Sequence, residues 1–124
     1  MSIIYTTAVK NARLNAVTSE IGTTGVLEIG TAGMASVLAT IALGNPAAAG
    51  ASGGVLTLSG FPRSDASADN TGTAAAARIR TSSGGTDVVA GLTVSTSGAD
   101  INLDSTSITA GQTVTINSAT ITHA

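Results

Sequence analysis

Short apolar runs separated by clusters of Gly, Asn, Asp and Ser recur through most of this chain. From Gly25 onward a new run begins about every eight to twelve residues, a spacing typical of β-sandwiches and β-barrels. We therefore predict a mainly β protein, an antiparallel, jelly-roll-like β-sandwich of about seven to eight strands with one N-terminal α-helix. The predicted strands are residues 25–30, 36–43, 54–59, 75–82, 86–95, 99–104 and 112–124.

Two of these segments carry further information about the sheet. The run SVLATIAL at 36–43 is apolar on both faces, which predicts a central strand. In the last segment Val114 and Ile116 share one face, whereas Ile121 falls on the other by strict alternation. A bulge or bend near 117–118 would restore the alternation and would let one long strand serve two sheets.

A helix is predicted at about residues 6–21, ahead of a β body at about 25–124, and the 124 residues are expected to form a single domain. Thr6 or Thr7 can cap the first amide groups, and Gly22 follows where a left-handed residue often ends a helix. A helix of this length is marginal alone, so it must dock on its own β body or on a neighbouring subunit. The predicted apolar stripe consists of Val9, Ala12, Ala16 and Val17, with Leu14 and Ile21 beside them.

The stretch SDASADNTGTAAAARIR, residues 64–80, has competing interpretations. Its four alanines favour a helix, but from Ala75 to Thr81 the side chains alternate with period two, and Arg78 and Arg80 fall on one face. The segment TSSGGTD follows as a turn and VVAGLTV as a return strand. We therefore predict a β-hairpin here.

The acidic residues of the chain raise the question of a calcium site. Asp65, Asp69 and Asn70 offer oxygen ligands, but their spacing is not that of an EF-hand loop and no distant Glu completes it. Asp100 and Asp104 are four residues apart, which in a strand separates them by about 13 Å. We predict no metal site and interpret these side chains as turn caps or solvated groups.

Catalytic and cofactor-binding patterns are missing from the sequence. The one histidine, His123, lies next to the C-terminal residue, and there is no cysteine. The glycine clusters lack the strand–loop–helix context and the Gly-Lys-Ser/Thr of a phosphate-binding loop. We predict a protein that is not an enzyme, with no catalytic residue, no cofactor and no small-molecule substrate.

Charge and hydropathy exclude two further partners. Five Lys and Arg residues and a net charge of −2 cannot make the basic stripe that binds nucleic acid. The most apolar window, Met34–Leu43, is far shorter than the roughly 20 residues of a helical membrane span. No signal peptide is predicted, because the first residues lack a basic region followed by an apolar run.

The scarcity of aromatic and charged residues, at 2% and 10%, has two explanations. Ordinary soluble domains carry roughly 25% charged residues. A small extracellular-type β domain coated in Ser and Thr would show this composition, and so would a protein whose surface is partly covered by partners. Composition alone does not separate these two interpretations.

Three segments resemble small structural proteins encoded among the head and tail genes of tailed bacteriophages: LEIGTAGMASVLATIAL, ASADNTGTAAAARIR and GLTVSTSGADINLDSTSITAGQTVTI. The resemblance covers nearly the whole chain from the helix onward, and it offers no functional residue to transfer. It implies a virion component made in the bacterial host cytoplasm, and among such proteins it is most similar to a capsid cement (decoration) protein on the capsid surface. The implied partners are other copies of the chain, as a dimer or trimer, and the major capsid protein. A tail or neck component is the nearest alternative, and a carbohydrate- or host-surface-binding module is a more distant one.

Candidate partner contacts follow from the residue types that dominate interfaces, aromatics and arginine. Tyr5 and Phe61 are the two aromatic rings, although Phe61 could equally be core. Arg78 and Arg80 could pair with acidic groups of a partner or remain solvated on an exposed face. The full set of candidates is Tyr5, Arg13, Phe61, Arg63, Arg78 and Arg80.

Overall fold

The structure is a computed structural model that describes residues 3–123. One α-helix precedes a series of short strands, which confirms the prediction of a mainly β protein with an N-terminal helix. A 3-10 turn at Ala32–Met34 separates the first two strands. The elements are α1 Thr7–Ile21, β1 Val26–Gly30, β2 Val37–Ala42, β3 Val55–Thr57, β4 Arg63–Asp65, β5 Gly72–Thr73, β6 Ala76–Arg80, β7 Asp87–Ser95, β8 Ile101–Leu103, β9 Ser107–Ile108 and β10 Val114–Thr122.

The strands form a curled mixed sheet, a half-barrel, in the order β2-β1-β6-β7-β8-β10-β3, with β4 also paired to β10. Strands β5 and β9 make a separate two-stranded sheet. This order differs from the predicted antiparallel, jelly-roll-like sandwich because β7 and β8 run parallel. Parallel strands usually need a crossover of about a dozen residues. Here the parallel ladder joins only Val94 to Ile101 and Ser95 to Asn102, so the short 96–100 loop is enough to connect the strands.

The predicted helix boundaries are confirmed. The Val9 N–H donates to Oγ1 of Thr6 (3.3 Å), and Gly22 ends the helix with φ 68°, a left-handed value that suits glycine. The predicted apolar stripe is wrong for three of its six members. Leu14 and Ile21 are buried and Val17 is half-buried, whereas the other members, Val9, Ala12 and Ala16, are exposed.

Two asparagines explain which side of α1 faces the β body. Oδ1 of Asn11 accepts from the Gly54 N–H (2.9 Å), and Oδ1 of Asn15 accepts from the Ala51 N–H (2.8 Å). These bonds tie the helix to the loop between β2 and β3. Hydrophobic periodicity counts only apolar residues, so it could not register an orientation that polar side chains help to set.

The core is aliphatic, as the composition requires. It is built from Leu, Ile and Val with alanines such as Ala39 and Ala77, both fully buried, where neighbouring layers approach closely. The two faces of β1 explain this packing. Leu27 and Ile29 point into the core, while Glu28 between them lies on the opposite face.

The predictions for the hairpin and the last strand are both confirmed. Strands β6 and β7 pair antiparallel around a tight turn, so the alanine run is a strand. In β10 the pairing with β8 shifts register between Ile116 and Ser118, at the position where the phase change required a bulge. As a result, Val114 and Ile116 before the bulge and Ile121 after it are all buried.

The prediction that 36–43 forms a central strand is wrong, because β2 ends the order of the curled sheet. Its outer edge is nevertheless covered, by segment 63–70 rather than by a strand ladder. The Thr40 N–H donates to Oδ2 of Asp65 (3.0 Å), and the Leu38 carbonyl accepts from the Asp69 N–H (2.7 Å). The Val37 carbonyl accepts from Nδ2 of Asn70, and the Ala42 carbonyl from Nη1 of Arg63. We call this line of contacts the β2 seam. It gives an edge strand the covered surroundings that its apolar sequence suggested.

Candidate functional site

The six predicted partner contacts come together as three pairs. Tyr5 lies beneath Arg13, Phe61 lies beneath Arg63, and Arg78 and Arg80 are neighbours on β6. The pairs differ in how many hydrogen bonds, ion pairs and ring contacts they already make within the chain. This difference decides which pair remains available to a partner.

The large hydrophobic side chains that are exposed among the described residues all lie at the N-terminal end of α1. We define the N-terminal patch as Ile3, Ile4, Tyr5 and Val9, whose exposed fractions are 77%, 88%, 39% and 42%. Two of these four are nearly as exposed as in an extended chain. Contiguous exposed apolar side chains of this kind mark interaction sites.

Tyr5 anchors this patch to the rest of the molecule. The Arg13 guanidinium carbon lies 4.6 Å from the centre of the Tyr5 ring, within cation–π range. The ring of His123 meets Tyr5 edge-on at 5.7 Å, and the backbone N–H of His123 donates to the Gly54 carbonyl. The predicted contacts Tyr5 and Arg13 therefore hold the patch beside the end of β10, with the Arg13 side chain still exposed.

A groove opens at the other end of α1. Its volume is about 400 Å³, and it lies between the C-terminal half of the helix and the 45–49 loop. Oγ1 of Thr18 is buried at this end of the helix and has no hydrogen-bond partner among residues 3–123. We call this feature the α1 groove; its lining is Asn15, Thr18, Ser19, Gly22, Thr23, Asn45, Pro46, Ala48 and Ala49.

Arg78 and Arg80 form ion pairs with a buried carboxylate. Glu28 on β1 is only 5% exposed and lies directly across the ladder from Arg78, whose Nε donates to its Oε1 at 2.6 Å. Nη1 of Arg80 lies 3.8 Å from the same oxygen, and its Nε lies 3.1 Å from Oδ1 of Asp87. The interpretation of two solvated arginines is therefore wrong. A contact of either residue with a partner stays a prediction.

Phe61 and Arg63 also serve the β body. Phe61 packs against the core, and the Arg63 guanidinium carbon lies 5.9 Å from its ring centre. Nε of Arg63 donates to the Ser59 carbonyl (3.3 Å), and Nη1 donates to Ala42 in the β2 seam. The core alternative for Phe61 is supported, and its role with a partner stays a prediction.

The side chains of Asp65 and Asp100 accept hydrogen bonds from backbone N–H groups. Oδ1 of Asp65 accepts from the Ser67 N–H two residues on, which confirms the turn-cap interpretation for this residue. Oδ2 of Asp100 accepts from the N–H and from the hydroxyl of Thr93, which ties the 96–100 loop to β7. Within residues 3–123 no three His, Asp or Glu side chains come together as metal ligands, and no helix there is long and apolar enough to cross a membrane.

Sequence reasoning missed Ile3, Ile4 and Glu28. The signal for the first two was the pair of isoleucines directly before the helix cap. The signal for Glu28 was a single carboxylate inside the apolar run GVLEIG, in a chain that also has a strand with two arginines on one face. A charge in such a run needs a partner once it is buried, so the run and the arginine strand could have been predicted to be neighbours.

Comparison of the chain with protein-family models, curated proteins and solved structures gives no match. The case for a function therefore depends on the residues and on their arrangement.

Proposed function

We propose that this chain is a structural component of a tailed-bacteriophage virion, a cement protein that stabilises the head by bridging major capsid protein subunits. The observation that carries the proposal is the N-terminal patch. An apolar surface left uncovered at one end of an otherwise internally bonded molecule suits a protein that works inside an assembly. The resemblance of three of its segments to phage structural proteins supplies the kind of assembly.

The β body suits the mechanical part of this role. Its buried ion pairs and covered sheet edge make a unit that can hold a fixed geometry between two neighbours. Repetition over a capsid lattice turns modest contacts into high avidity, so no single contact needs to be strong. The protein would self-associate as a dimer or trimer and would not contact the packaged DNA.

The carbohydrate-binding alternative is less well supported by the two aromatic rings. A sugar stacks on an open aromatic face, but Tyr5 is covered by Arg13 and Phe61 lies against the core with Arg63 over it. The tail or neck alternative uses the same surfaces as the cement hypothesis. Location in the particle separates these two.

The experiment is chemical crosslinking of purified virions of the phage that encodes the chain, followed by mass spectrometry. The cement hypothesis predicts crosslinks to the major capsid protein and heads that break at lower temperature when the chain is deleted. Crosslinks to tail or neck proteins would instead support the tail or neck alternative. Absence of the chain from purified particles would overturn the proposal.

A further inference from the structure

The outward face of α1 combines exposed apolar residues with charges of opposite sign. Val9, Ala12 and Ala16 are exposed on this face. Arg13 and Glu20 are exposed beside them, and neither belongs to an ion pair within residues 3–123. Seven residues are close to two helical turns, so these two charges lie on the same side of the helix.

The charges on this face of one helix are complementary to those on a second, antiparallel copy of the helix. In an antiparallel pair related by a two-fold axis near Ala16, Arg13 of each helix comes opposite Glu20 of the other. The same reversal places the positive end of each helix dipole beside the negative end of its neighbour. Alanines at positions 12 and 16 allow the close helix spacing of about 8 Å that such a pair needs.

Reversal also brings the opposite ends of the two α1 helices together. The N-terminal patch lies at one end and the α1 groove at the other. A 15-residue helix is about 22 Å long, so antiparallel pairing brings the N-terminal patch of each copy to the C-terminal end of the partner's helix.

We infer that the occupant of this face is a second copy of the chain, paired antiparallel through α1, with each N-terminal patch at the C-terminal end of the partner's helix. The inference rests on the self-association in the proposed function and names its surface and symmetry. A contact with the capsid protein would then use other faces of the β body.

A charge exchange tests the pairing. The mass in solution, measured by light scattering and sedimentation, should be twice the 11.9 kDa of the chain. Arg13→Glu and Glu20→Arg should each weaken the dimer at least about tenfold, since each places like charges opposite one another. The double variant Arg13→Glu/Glu20→Arg should restore it, and Asp69→Arg, an exposed change in segment 63–70, should have no effect.

A crosslink tests the symmetry. The chain has no cysteine, so Ala16→Cys introduces a single thiol at the proposed axis. Mild oxidation should give a disulfide-linked dimer, whereas Ala66→Cys, exposed in segment 63–70, should stay monomeric on a denaturing gel. Ile3→Ser/Ile4→Ser should weaken the dimer without changing the helical circular dichroism.

A monomeric or trimeric wild-type protein would overturn the inference, as would a double charge variant that fails to dimerise. These results are distinguishable from failure of the proposed function. A monomer that is still found on virion heads removes the pairing and keeps the virion role. A protein that is dimeric in solution but absent from virions would keep the pairing and remove the virion role.

Discussion

The β body and helix α1 use their charged side chains in opposite ways. In the β body Glu28, Arg63, Asp65, Arg78 and Arg80 all bond within the chain, to one another or to backbone. In α1 the charged side chains of Arg13 and Glu20 face outward beside exposed apolar residues. A chain with so few charges therefore places most of them where they stabilise the fold, and leaves the helix as the surface on which a partner can act.

The largest expected effect comes from breaking the buried ion pair. Arg78→Ala leaves Glu28 buried with only the more distant Arg80 nearby, so we expect a loss of about 2–3 kcal/mol in the free energy of unfolding. The matched control is Arg13→Ala on α1, where we expect less than about 1 kcal/mol, the value of an exposed cation–π contact. Denaturant unfolding at one fixed chain concentration measures both. Equal losses would contradict the contrast between the two regions.

A smaller effect is expected at the β2 seam. Asp65→Ala removes the acceptor of the Thr40 and Ser67 N–H groups and should cost about 1–2 kcal/mol. The control is Asp69→Ala, since Asp69 enters the seam through its backbone N–H, and its change should stay within about 0.5 kcal/mol. Hydrogen exchange of the Thr40 amide should become faster only in Asp65→Ala. Unchanged protection there would show that the carboxylate does not hold the seam.

The smallest effect is expected at the start of α1. Thr6→Ala removes the N-cap acceptor of the Val9 N–H, and we expect a loss of about 0.5–1 kcal/mol. Thr7→Ala, one residue inside the helix, is the control and should be neutral or slightly stabilising, because alanine is the better helix former. Thermal unfolding followed by circular dichroism compares the two. A larger loss of stability for Thr7→Ala than for Thr6→Ala would show that Thr6 is not the residue that caps the helix.

Local features of the fold were predictable because their causes are local. The helix was bounded by a threonine cap and a glycine, and the hairpin by its alternation and its glycine pair. The bulge in β10 followed from one misplaced isoleucine, Ile121. Strands β4, β5 and β9 were missed because they are two or three residues long and together contain one large apolar side chain, Ile108, so no apolar run marks them.

The candidate site was predictable only in part. Tyr5 and Arg13 were identified by residue type, but the exposure of Ile3, Ile4 and Val9 was not. An apolar residue before or within a helix is expected to pack against the rest of the molecule. Whether Ile3, Ile4 and Val9 do so depends on how far the β body extends along the helix, which the sequence does not show. The α1 groove could not be predicted because its walls come from segments about 25 residues apart in the chain.

By itself, the sequence determined where the helix and most strands lie and that the core is aliphatic. Only the tertiary structure decided the order and direction of the strands, the covered edge of β2, the ion pairs of Glu28 and the side of α1 that faces solvent. The physical reason is range. Capping, turn geometry and side-chain alternation act over a few residues, whereas edges, ion pairs and exposed faces depend on contacts between segments that the sequence alone does not bring together.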